Sequence, residues 1–401
     1  MSVRRIGIEE RRARLGVRHH LAPTAWAANA AEATRGVVAL HATDPASVFL
    51  SVQARTASVD VDAIERALYD ERSLIRMLGM RRTMFVVPVE FAPVIQAGAA
   101  KAIAQLQRRR YTQLIVEGGI GDGAWLADIE ESTARALIAR GEATGAMLST
   151  DEPRLRTPLL RGEGKSYASV QNITSWVLFL LAADGRIVRG RPRGSWLSTQ
   201  WTWSPVERWL PDGIAELPVE AARAELVRRW LAAFGPGTVA DLRWWTGWTA
   251  AHVKQALAAV RPEEVDLGGA TGLVLPDDLD PAAQNPAAHN PVTESAPWVA
   301  LLPALDPTAM GWSERSWYLG VHAPVLFDRS GNVGPTVWCD GRIIGGWAQR
   351  ADGEIVYRLL EDVGGDTVAA VDDAAGRLAK WVGTARVTPR FRTPLERELS
   401  A

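Results

Sequence analysis

Apolar positions along this chain switch repeatedly between helical and extended spacing, and the switches mark out a series of helix-then-ribbon units. In VVALHATDPASVFLSVQART, Val48, Phe49 and Val52 recur at helical spacing. Asp44-Pro45 is a helix start, an acidic N-cap followed by proline at the first helical position, where a missing N–H loses no bond. A further helix is expected over VDAIERALYDERSLIRML, leading into GMRRTMFVVP, a strand rich in β-branched and aromatic residues. Residues from Glu90 to about Ile120 read as helical, with Arg108, Arg109 and Arg110 on a solvated turn. A second unit carries a helix from Asp128 to Ala139 and another from Lys165 to Leu181. Asp184-Gly185 then reverses the chain into RIVRGRPRGSWLSTQWTW, a β-ribbon whose tip is bent by Pro192 and Gly194.

A third unit opens near Val219 with the amphipathic helix AARAELVRRWLAAFG, stopped by Gly235-Pro236. TVADLRWWTGWTAAHVKQALAAV follows, two short helices joined at Thr246-Gly247 in a helix-turn-helix pattern. Residues Leu275 to Pro297 are rich in Pro, Asn and Asp and read as a linker. From Trp298 to Arg392 the pattern turns to short strands, with hairpin signals at Asp340-Gly341 and Asp352-Gly353, and a helix near Ala369–Trp381 closes the domain. The expected fold is therefore α+β, tandem winged-helix units followed by a small C-terminal domain, a β-barrel or curled sheet. The expected boundaries are 1–123 (with a helical extension), 124–210, 211–275, a linker at 276–297 and a β-rich domain at 298–401.

Composition narrows the function classes. The chain has 401 residues, 47% hydrophobic and 23% charged, the profile of an ordinary globular protein of several domains. A net charge of −1 means that any polyanion-binding surface must come from segregated charge. Arg4, Arg5, Arg11, Arg12, Arg14 and Arg18 crowd the N-terminus, while Asp277, Asp278, Asp280, Asp362 and Asp372 fall in the last third. Arg186, Arg189, Arg191 and Arg193 lie within eight residues of the ribbon and are the first candidates for phosphate contact. A charged ribbon is also a solvated edge that resists aggregation, so both readings stand. Arg81 and Arg82, entering a strand, are weaker candidates, since one can pair with Asp70 or Glu71.

Cys339 is the only cysteine, which excludes an intrachain disulfide and a cysteine-based metal site. No two histidines have i, i+4 ligand spacing, so no metal is expected; His19 and His20 read as solvated, and His252, His289 and His322 are scattered. Gly118, Gly119, Gly121 and Gly123 make a loop with no phosphate-binding lysine after it, so no nucleotide cofactor is expected. No apolar run reaches membrane-spanning length and the N-terminus lacks the apolar core of a signal peptide, so the expected compartment is the cytoplasm. The tryptophan clusters Trp201/Trp203/Trp209 and Trp244/Trp245/Trp248 read as packing in core and wing base, with base stacking as the alternative.

Five strings together, LHATDPASVFLSVQAR, MRRTMFVVP, DLRWWTGW, LLPALDPTAMGW and GPTVWCDGRIIGGWAQR, resemble the AlkZ-like family of tandem winged-helix DNA glycosylases of the azinomycin-resistance type, over about Leu15 to Phe391. The resemblance implies three winged-helix units on a concave DNA-binding scaffold, with a C-terminal β-barrel. It also implies excision of alkylated purines, and in some members the unhooking of interstrand crosslinks, from double-stranded DNA. The family's catalytic water is held by a glutamine–apolar–glutamine or glutamine–apolar–aspartate motif. The aligned residues here are His41, Ala42 and Thr43, so neither polar position matches. A neutral imidazole can still accept a proton from water and a threonine hydroxyl can orient it, which makes His41 and Thr43 the candidate catalytic pair. Asp44 is the nearest carboxylate, available either to stabilise a cationic sugar or to cap the next helix. A monofunctional glycosylase and a non-catalytic winged-helix DNA-binding protein (regulation or lesion protection) both follow from this. A third possibility is a protein- or small-molecule-binding module built from inactive winged helices.

Overall fold

The computed structural model describes residues 3–161, 169–279 and 297–401. The chain forms two compact units, one of Met1–Ala67 with Ala224–Ala401, the other of Leu68–Arg223.

The Leu68–Arg223 unit is organised by three helices, Lys101–Glu117, Gly123–Arg140 and Thr174–Ala183. Asp122 starts the second of these by accepting the Trp125 N–H at 2.9 Å. Their apolar faces meet in a core that includes Ile115, Leu126, Ile129, Val177, Leu180 and Leu181, and Tyr111 stacks on Trp176 with ring centroids 4.6 Å apart. Two antiparallel hairpins flank them, Leu74–Leu78 with Met84–Pro88 and Ile187–Pro192 with Trp201–Pro205. The second is the expected ribbon. Gly185, which starts it, has φ 73°, a conformation that glycine adopts without strain.

Two helix boundaries in this unit differ from expectation. The helix expected to run to Leu78 gives way to a strand at Leu74–Leu78, every residue of which is buried. A strand covered on both faces shows no period-two alternation, so Leu74–Leu78, with Arg76 buried among its apolar residues, reads as a continuation of the preceding helix. The helix expected from Lys165 begins only at Thr174, after a strand Ser169–Asn172 that pairs with Pro158–Arg161; residues 162–168, with Lys165, lie outside the described residues.

The other unit combines helices Ile8–Arg18 and Pro45–Gln53 with the helix pair Val239–Thr246 and Ala250–Val260. Thr238 and Asp241 form a reciprocal capping box at the start of that pair, and Gly247 makes the turn at φ 70°. A short hairpin, Glu263–Asp266 with Thr271–Val274, comes next. The C-terminal strands Val299–Leu302, Thr336–Cys339, Arg342–Gln349 and Ile355–Leu359 form an antiparallel sheet in sequence order. Among the described residues this sheet is open and not a closed barrel. Helix Gly365–Val382 packs against both its first and its last strand, where closure would have to occur. Of the expected linker, 280–296, including Asp280 and His289, lie outside the described residues.

The N-terminal charges do not form a free basic arm. Arg14 and Arg4 pair with Glu10 at 2.7 and 3.0 Å, Arg18 with Asp278 at 2.5 Å, and Arg12 donates to the Trp317 carbonyl at 2.7 Å. His19, expected to be solvated, is fully buried. Its Nδ1 lies 2.9 Å from Thr308 Oγ1 and its ring stacks against Trp312. Burial lowers its pKa from 6.5 to about 3, helped by the nearby Arg55 cation. His20 is half-buried, with Nδ1 2.7 Å from the Ala25 carbonyl. Arg4 and Arg14 pair within their own segment, but Arg18, Arg12 and His19 meet partners 260, 305 and 289 positions away, which local sequence does not reveal.

Candidate active site and nucleic-acid interface

The candidate catalytic triplet lies where a two-residue strand, Leu40–His41, passes into helix Pro45–Gln53. Exposure alternates as extended chain requires: His41 and Thr43 are half-buried on the accessible side and Ala42 is buried. Asp44 follows as the N-cap, its Oδ1 accepting the Ala46 N–H at 3.1 Å. Its Oδ2 accepts the Arg390 backbone N–H at 2.9 Å. The Arg390 guanidinium donates in turn to the Thr43 carbonyl at 3.4 Å. The carboxylate thus ties the start of the helix to the C-terminal segment.

The same helix is anchored along its length. Ser47 Oγ donates to the Ala304 carbonyl and Ser51 Oγ to Asp306 Oδ2, both at 2.7 Å. Arg55, just past the helix end, makes a bidentate pair with Asp306 at 2.7 and 2.8 Å, and both side chains are wholly buried. The buried Arg55 cation, with the hydrogen bonds from Arg55 and Ser51 and a last one from the Thr308 N–H at 2.9 Å, keeps the Asp306 carboxyl below the usual range despite its burial. The turn bearing His41 and Thr43 is consequently held at a helix whose position is fixed by charge-assisted bonds.

Of the arginines expected at a nucleic-acid interface, Arg186 pairs with Glu131 at 2.8 Å and Arg191 with Asp70 at 3.1 Å. Asp70 is therefore a partner of the ribbon, whereas it was expected near Arg81 or Arg82. Arg189 stacks on Trp203, 3.9 Å from the ring centroid, and Arg193 is exposed at the ribbon tip. Arg81 and Arg82 do not enter a strand; they form the tip of the Leu74–Pro88 hairpin, with φ 52° and 63°. Two consecutive left-handed residues give the turn that matches strand twist, and glycine or asparagine usually supplies them. Arg82 lies over the Phe179 ring at 5.5 Å.

Arg390 is the site residue that sequence reasoning missed. It sits 346 positions from Asp44, and nothing in its own neighbourhood signals the contact. Among the described residues no cluster of three or more His, Cys, Asp or Glu could hold a metal. Cys339 is buried, and burial pushes its thiol up to about 11. No helix among the described residues is long and apolar enough to cross a membrane.

Comparison with known proteins agrees with this architecture. The family model described as DNA glycosylase AlkZ-like matches residues 34–381. No curated protein sequence matches the chain. The structure is similar to that of the Streptomyces sahachiroi DNA glycosylase AlkZ, with a TM-score of 0.73 and 20% sequence identity, over 96% of this chain and 99% of the other. A mixed α+β fold shared over nearly the whole length, and a family model that spans the His41–Thr43 turn and the arginine ribbon, lead to one assignment. The chain belongs to the AlkZ-like family of DNA glycosylases.

Proposed function

We propose that this DNA glycosylase hydrolyses the N-glycosidic bond of an alkylated purine in double-stranded DNA, with water held by His41 and Thr43. A purine alkylated at N3 or N7 is already cationic, so its bond to C1′ breaks with the electron pair passing to the base, which leaves neutral. Positive charge develops on the sugar, and water attacks C1′ as that charge appears. Neutral His41 takes the proton from the water and the Thr43 hydroxyl fixes the water's position. The products are the free base and an abasic site. The modest assistance an imidazole and a hydroxyl provide is matched to a leaving group that needs no protonation.

In this reading Asp44 positions the pair and does not itself meet the sugar, because its two oxygens accept the Ala46 and Arg390 amides. The observation that carries the proposal is this pinned turn, which leaves His41 and Thr43 half-buried on the accessible side. The reading also takes 1–123, 124–210 and 211–275 as winged-helix units that hold duplex DNA by its phosphates, with Arg81, Arg82, Arg186, Arg189, Arg191 and Arg193 as contacts and 298–401 as a β-rich domain. It is supported by the helix pairs followed by ribbons described above.

Single-turnover release of 7-methylguanine from duplex tests the chemistry. His41→Ala is expected to slow release by about 10²–10⁴-fold, the usual contribution of a positioned acid–base group, with unchanged duplex affinity. Equal release by His41→Ala and the native chain rules this mechanism out.

A further inference from the structure

The Leu68–Arg223 unit contains a cleft of about 490 Å³. Arg82 from the hairpin tip and Arg189 from the ribbon both line it, and so do the rings beneath them, Phe179 and Trp203. Leu178 and Met84 complete an apolar wall, and the exposed residues Ala146 and Ser175 lie at the cleft surface. Each guanidinium is held over an aromatic face, which orients its planar fork at little further entropic cost. The hairpin tip delivers Arg82 through two left-handed residues, a conformation that arginine adopts at an energetic penalty.

We infer that this cleft binds one unpaired nucleotide of a DNA strand, with its phosphate between Arg82 and Arg189 and its base against the apolar wall. Charge and shape both select that ligand. Two cationic forks call for a phosphate, and the aliphatic wall of Leu78, Met84 and Leu178 beside these ring-backed guanidinium planes calls for the flat face of a base. A base inside a duplex has both faces covered by its neighbours, so it cannot offer the wall a face while its phosphate meets the arginines. The volume falls within the roughly 300–1,000 Å³ of small-ligand sites. The inference rests on the reading of the chain as a DNA-acting protein and adds a preference for locally unpaired DNA.

The test compares binding of a fully paired duplex with the same duplex carrying a single-nucleotide 2-aminopurine bulge, by anisotropy and 2-aminopurine fluorescence. The native chain is expected to bind the bulged duplex about tenfold more tightly, the scale of one base stacked on protein. Ala146→Trp fills the cleft from an exposed helical position and is expected to abolish the preference while leaving paired-duplex affinity intact. Ser175→Trp does the same from a different helix, guarding against a local folding defect. Arg82→Ala combined with Arg189→Ala is expected to lower the salt slope by about one more for the bulged duplex than for the paired one. Equal affinity of the native chain for both duplexes overturns the inference, as does a preference that survives both tryptophan variants. Release of 7-methylguanine by a native chain that shows no bulge preference leaves the glycosylase chemistry standing and removes only the cleft. A bulge preference without base release does the reverse.

Discussion

Asp44→Ala separates a positioning carboxylate from one that acts on the sugar. The substitution removes the N-cap of helix Pro45–Gln53, where Oδ1 accepts the Ala46 N–H at 3.1 Å, at a cost of about 1 kcal/mol. It also removes the 2.9 Å bond from the Arg390 N–H to Oδ2, a hydrogen bond to a charged group worth about 1.5–3 kcal/mol. The local loss is then about 2.5–4 kcal/mol, or two to three orders of magnitude in the opening equilibrium. Hydrogen exchange of the Ala46 and Arg390 amides reads that opening directly and does not need global unfolding to be two-state. Both amides should lose protection together. Asp44→Asn sharpens the result: its carbonyl can still cap Ala46, but its NH₂ faces the Arg390 N–H, so only the Arg390 amide should be deprotected. If protection changes by less than twofold at both amides in Asp44→Ala, the clamp is not formed as described. If Asp44→Asn keeps Ala46 protected yet loses more than a hundredfold in base release, the carboxylate acts on the reaction itself.

Two further outcomes follow from the charges. Because burial lowers His19 from 6.5 to about 3, only the unfolded chain binds that proton between those values. Stability therefore falls as pH drops through this window, by on the order of 5 kcal/mol at its lower end. Urea titrations at pH 7 and pH 4.5 should show the loss, His19→Gln should reduce it, and an unchanged pH slope in that variant would place the proton elsewhere. In the ribbon, Arg193→Ala should lower the duplex salt slope by about one, whereas Arg191→Ala should lower it less, since Asp70 already balances that charge at 3.1 Å. Asp70→Asn should then strengthen duplex binding, and weakened binding in this variant would show that the pair's role is structural.

What the sequence determined by itself is what short-range physics controls. Asp44 as N-cap with Pro45 behind it, the Gly247 turn between two helices and the ribbon after Asp184-Gly185 all depend on groups within a few residues of one another, so their signals survive in the linear order. Tertiary structure alone decided which charges remain available. It took His19 into the core, gave Arg186 and Arg191 to carboxylates, made Leu74–Leu78 a buried strand and closed Asp44 onto Arg390. The reason is physical: burial and ion pairing join residues distant in sequence, and a guanidinium reads the same in the chain whether water, a carboxylate or a phosphate will meet it.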